Sequence, residues 1–95
     1  MEAEALAMRL AAGTRSRRLT WTRAADQPVY CTTIDGMRVA VILPAKVYDP
    51  PWTLAQVDKY SGQPIWAIAA DSRNRDQYGL GRAMADVVRS LTAVH

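Results

Sequence analysis

The chain has one histidine, and that is its last residue, His95; it has one cysteine, Cys31, and no phenylalanine at all. Imidazole and thiolate are the usual groups for proton shuttling, nucleophilic attack and transition-metal ligation near neutral pH. Without a His–Cys or His–Ser constellation most hydrolytic and transfer mechanisms lose a central part. The serines have no Gly-x-Ser-x-Gly context. Gly79-Leu80-Gly81 is too short for a phosphate loop and has no Lys-Ser/Thr after it. No pair of carboxylates has the spacing that would set two of them together on one element. Asp35, Asp49 and Asp58 fall at turn positions, and Asp71 and Asp76 precede a helix, where aspartate accepts backbone N–H bonds. The expectation is a protein with no enzymatic activity, no metal and no cofactor.

A lone cysteine forms no internal disulfide, which fits a reducing compartment. The N-terminal Met1-Glu2-Ala3-Glu4 is acidic where a secretory signal would be basic. The apolar run Val39 to Leu43 is far too short to span a bilayer. The expectation is a cytoplasmic protein with no membrane segment. Its 95 residues, 49% of them hydrophobic, suffice for one domain, residues 1–95, with its own core and a radius of gyration near 12 Å.

Lysine is also scarce. Ten arginines stand against two lysines, beside sixteen alanines. Both favoured residues have GC-rich codons, a bias that fits a GC-rich bacterium or one of its phages. The net charge is +3, and its layout is more telling than its size. Residues 1–25 carry +3, residues 26–70 carry −1 and residues 71–95 carry +1. The positive excess concentrates at Arg15, Arg17, Arg18 and Arg23, with a smaller pair at Arg73 and Arg75.

Residues 2–12 are nearly all strong helix formers, with Leu6 and Leu10 four apart and Gly13 placed to end the helix in a left-handed cap. Leu19-Thr20-Trp21-Thr22 alternates as a short strand. Val29–Ile34 and Met37–Leu43 are separated only by Asp35-Gly36, the signature of a type I′ hairpin. That turn sets the register: Ile34 opposite Met37, Thr32 opposite Val39, Tyr30 opposite Val41. The face bearing Tyr30, Ile34, Met37, Val39, Val41 and Leu43 is the larger apolar one and should be covered by the helices. Trp52–Val57 and Ile65–Ala69 form a second hairpin about Asp58-Lys59-Tyr60-Ser61-Gly62, with Gly62 in the left-handed position and Pro64 marking an edge strand. Leu80, Met84, Val87, Leu91 and Val94 recur at helical spacing after Asp76. Gly79 and Gly81 delay that helix or mark a close backbone approach. The fold is read as α+β: an N-terminal helix, an antiparallel β-meander of four to five strands, and a C-terminal helix, both helices on one face. The expected core is Leu6, Leu10, Trp21, Tyr30, Val39, Val41, Leu54, Ile68, Met84, Val87 and Leu91.

Two segments are candidates for function. Arg15-Ser16-Arg17-Arg18 concentrates side chains that make bidentate contacts to carboxylate and phosphate; the competing reading is a solvated loop, paired with Asp26 or with the acidic end of the first helix. Val47-Tyr48-Asp49-Pro50-Pro51-Trp52 presents two hot-spot residue types on a proline-stiffened loop; the competing reading packs Trp52 into the core. The expectation is that Arg15, Arg17, Arg18, Tyr48 and Trp52 lie exposed and bind a partner, with Arg73 and Arg75 next in line. The order helix, meander, helix resembles the double-stranded-RNA-binding domain in topology alone. That family carries a lysine cluster at the start of its last helix, where this chain has Tyr78-Gly79-Leu80-Gly81-Arg82. The functional expectation is a non-catalytic interaction domain, a small bacterial or phage-type regulator or inhibitor that docks on an acidic surface of a larger protein. The alternative is a nucleic-acid-binding protein that places its arginine loops on phosphates.

Overall fold

Asp35 and Gly36 both take positive φ, 51° and 77°, and the turn they make organises the centre of a five-stranded sheet. The computed structural model describes residues 3–23, 27–46, 49–71, 73 and 75–94. Helix α1 (Ala3–Arg15) is followed by strands β1 (Thr22–Arg23), β2 (Val29–Ile34), β3 (Met37–Ile42), β4 (Trp52–Val57) and β5 (Pro64–Ala70). A 3₁₀ turn, Arg75–Gln77, leads into helix α2 (Tyr78–Val94). The strands pair antiparallel in chain order, a plain meander. The β2–β3 register is the one the Asp-Gly turn requires, Ile34 opposite Met37 through Val29 opposite Ile42.

One face of the sheet carries Tyr30, Ile34, Val39, Val41, Leu43, Trp52 and Leu54, all buried beneath α1 and α2. The helices supply Leu6 and Leu10 from α1 and Leu80, Met84, Val87, Val88 and Leu91 from α2. Each large side chain of that set contributes about 1.5–3 kcal/mol of transfer free energy. The helices run parallel. A Cβ on Gly79, at the start of α2, would collide with the Glu4 carboxyl near the start of α1, and Thr14 shares a cleft with Ser90 and Leu91 at their far ends. Of the two readings that its position in the first turn offered, a late helix start or a close approach, Gly79 makes the second, with the end of the Glu4 side chain beside it. The Glu4 carboxylate lies over the positive end of the α2 dipole. The radius of gyration is 12.1 Å.

The second hairpin is held as its sequence implied. Asp58 Oδ1 accepts the backbone N–H of Tyr60 (2.8 Å) and of Ser61 (2.9 Å), and Gly62 has φ 73°. These bonds favour the ionised carboxylate, so the Asp58 pKa falls below its ordinary value.

Four expectations change. α1 does not stop at Gly13 but runs to Arg15. A Cβ on Gly13 would sit 2.8 Å from both Cγ and Cδ1 of Leu19, so the glycine serves a close approach and not a positive φ. Residues 19–21 do not join β1, because the Leu19 N–H is drawn to the Gly13 carbonyl (3.3 Å) and the Thr20 carbonyl accepts the hydroxyl of buried Thr32 (2.8 Å). Trp21 and Ile68 are half-buried rather than fully enclosed, as is Trp66. Trp52 is not an exposed anchor: it is 3% exposed. It opens β4 in phase with Leu54, so the sheet pleat turns it toward the helices, and small Ala70 stands opposite it on β5.

Candidate functional site

The end of α1 is built from the three arginines that stood out in the sequence. Arg15 occupies the last turn of the helix. Arg17 then takes φ 60°, the left-handed conformation that usually falls to glycine. The Arg17 N–H donates to the Thr14 carbonyl (3.2 Å) and the Arg18 N–H to the Gly13 carbonyl (2.9 Å). Those two bonds are the pair that closes a Schellman motif, with Arg17 at its left-handed position. The arginine backbone carries a cost of about 1–2 kcal/mol there.

Behind this cap lies a cleft of about 380 Å³. Its walls are Arg17, Leu19, Thr20 and Trp21 on one side, Thr14 below, and Ser90 and Leu91 from α2. The Trp21 indole N–H donates to Thr14 Oγ1 (3.0 Å), and the Thr14 hydroxyl donates to the Leu10 carbonyl (2.6 Å). This relay holds the indole in place, half-buried, as part of the wall of the cleft.

The partners of the arginines decide which of them are available. Arg9 pairs with Asp35, which ties α1 to the hairpin turn. Arg73 makes a two-pronged contact to Asp71, Nε to Oδ1 (3.0 Å) and Nη2 to Oδ2 (3.0 Å), and also donates to the Pro50 carbonyl (3.1 Å). It staples the exit of β5 to the entry of β4, so this candidate is exposed but already engaged. The guanidinium beside it holds the Asp71 carboxyl below the usual range, and Asp71 raises the Arg73 pKa in return. Arg89 is paired with Asp86 (2.5 Å). Arg23 lies over the Tyr30 ring and Arg82 over the Tyr78 ring. Arg15, Arg17 and Arg18 are exposed and join no ion pair among the described residues. Arg75 is exposed in the 3₁₀ turn. Asp26, the acidic partner weighed for the loop, and Tyr48, the aromatic candidate, lie outside the described residues.

A second concavity was not foreseen. On the face of the sheet away from the helices, Thr22, Cys31, Ala40, Ala55 and Ala67 stand opposite one another in successive strands. The last four of these small residues line a trough of about 570 Å³, together with Val29, Arg38, Ile42, Val57 and the turn Lys59–Gly62. Ala40 and Ala55 are buried there with no helix above them, because larger neighbours flank them along the strands. The register of the second hairpin, carried across from the first, is the signal that would have revealed the row.

Among the described residues no group of three or more His, Cys, Asp or Glu side chains is placed to hold a metal ion, and no helix is long and apolar enough to cross a membrane. Comparison with protein-family models, curated proteins and solved structures finds no match for this chain.

Proposed function

We propose that this chain is a non-catalytic interaction domain that docks on an acidic surface of a larger protein, as a regulator or inhibitor does, through the end of α1. One observation carries the reading. Three arginines that join no ion pair among the described residues crowd one end of the fold, and one of them is held in a backbone conformation that glycine would adopt at lower cost. An unfavourable backbone retained beside an apolar cleft points to a role for the side chain. Arg15, Arg17 and Arg18 supply the forked donors that match carboxylates. Leu19 and Trp21 supply apolar surface for an anchor residue of the partner. The competing role is structural: the parallel helices bring two negative dipole ends to this region, and arginines there offset them by about 0.3–1 kcal/mol each. The single cysteine fits a cytoplasmic setting.

The test is the triple variant Arg15→Ala, Arg17→Ala, Arg18→Ala, compared with wild type in affinity capture from nuclease-treated lysate. The variant should fold, since solvated charges contribute little to stability. It should lose at least about tenfold in affinity for the captured protein, equal to about 1.4 kcal/mol. Nucleic acid on the arginines would instead give nuclease-sensitive capture and a log–log salt slope of roughly −0.9 per phosphate contact. A folded variant with undiminished capture moves the site away from this end, and Arg75 becomes the next residue to replace.

A further inference from the structure

The two edges of the sheet are protected very differently. β1 is two residues long and ends in Arg23, and both shortness and charge discourage pairing with another chain. β5 is seven residues long, Pro-Ile-Trp-Ala-Ile-Ala-Ala, with no charge. Pro64 and the irregularity at Gln56/Val57 guard only its start. Beyond them Ile65 is 60% exposed, Ala67 and Ala69 are exposed, and Trp66 and Ile68 are only half-covered on the helix side. The strand therefore offers an open row of backbone donors and acceptors flanked by apolar side chains on both faces.

We propose that β5 pairs antiparallel with β5 of a second copy, forming a two-fold dimer with Ala67 on the axis. The register follows from the strand itself. Residues opposite each other in an antiparallel pair share a face, so the helix-side residues Trp66, Ile68 and Ala70 can oppose only one another, and the axis must pass through a residue. An axis through Trp66 would set Pro64, which has no N–H, opposite Ile68 inside the ladder. An axis through Ile68 would set Asp71 opposite exposed Ile65. An axis through Ala67 pairs Ile65–Ala69 with its own copy, leaves Pro64 at the frayed end beyond the irregularity at Gln56/Val57, and leaves Asp71 outside the ladder. It sets Trp66 opposite Ile68 of the other copy twice over, an aromatic against a β-branched side chain, the kind of cross-strand pair that stabilises sheets. Ile65 meets Ala69, and at the axis the small Ala67 meets itself. Every pair is apolar, and no charge within the strand repels its own copy. This self-complementarity is what singles out a second copy as the occupant. The two-fold axis then stands perpendicular to the sheet, the helices of both copies lie on one face, and the sheet runs unbroken through the dimer. A seven-residue edge is a small contact beside the roughly 1,200–2,000 Å² of a stable interface, so a weak dimer is expected and micromolar concentrations are the range to search.

Sedimentation equilibrium of the full chain, followed from low to high micromolar concentration, tests this. Wild type should show a reversible monomer–dimer equilibrium. Ala67→Lys and Ala67→Glu each oppose like charges across the axis and should each weaken the dimer at least about tenfold. An equimolar mixture of the two should regain a dimer, because Lys then faces Glu. Far-UV circular dichroism establishes that each variant folds. Should either fail to fold, Ile65→Lys, at a mostly exposed position on the same edge, should weaken the dimer in its place. Wild type that stays monomeric throughout overturns the proposal. So does a dimer unchanged by these substitutions, or a Lys/Glu mixture that remains monomeric.

Discussion

Replacing Arg17 by glycine separates two accounts of how the first helix ends. If Gly13 were the left-handed cap, Arg17 would be an ordinary loop residue. Glycine there would then only enlarge the unfolded ensemble, at a cost of about 0.4–1 kcal/mol. The φ of 60° at Arg17 reverses the sign. The left-handed backbone costs a residue with a Cβ about 1–2 kcal/mol relative to glycine. Both hydrogen bonds of the cap, from the N–H groups of Arg17 and Arg18 to Thr14 and Gly13, involve backbone alone and survive the change. Relief of strain less the unfolded-state term leaves a gain of about 0.5–1 kcal/mol, which raises Tm by roughly 2–8 °C in a domain of this size. Differential scanning calorimetry of Arg17→Gly against wild type reads it directly, with Arg17→Ala as the control that removes the same side chain and keeps the strain. A Tm for Arg17→Gly at or below that of Arg17→Ala would refute the reasoning. If the arginine has the binding role proposed above, Arg17→Gly is the more stable and the less active protein.

Gly36→Val forces a β-branched residue into φ 77° and should cost more than about 1 kcal/mol; open space around that position rules out a clash as the cause, and an unchanged urea midpoint would count against the type I′ turn. Trp52→Ala empties a buried site and should cost about 3–5 kcal/mol, whereas a surface tryptophan would cost a few tenths, so chemical denaturation distinguishes the two placements. Asp58 and Asp71 both have pKa values lowered in the folded state; their stabilisation is present above the unfolded value of about 3.9 and is lost as pH falls through the lower folded values. Stability should therefore decline below about pH 4, and Asp58→Ala should flatten that decline in a series of thermal melts, while an acid limb identical to wild type would remove Asp58 from the account.

What could be read from the sequence alone was whatever a few neighbouring residues decide among themselves. Asp35-Gly36 demands two positive φ angles, and once that turn is made the pairing of β2 with β3 and the inward face of each strand follow from period two. Asp58 and Gly62 did the same for the second hairpin, and the three- and four-residue spacing from Leu80 to Leu91 placed α2. The arginine cluster was visible as composition. Its geometry was not, because the end of α1 depends on Leu19 folding back over Gly13, a contact that no local propensity encodes. Trp52 went astray for a related reason. The sequence shows a tryptophan after two prolines, but only the phase of β4 against its neighbours decides which way it points. The parallel alignment of the helices, the row of small residues across the outer face and the open apolar edge of β5 belong to the tertiary structure alone. Each arises where residues from distant parts of the chain are brought side by side, and their chemistry appears only when the strands are in register.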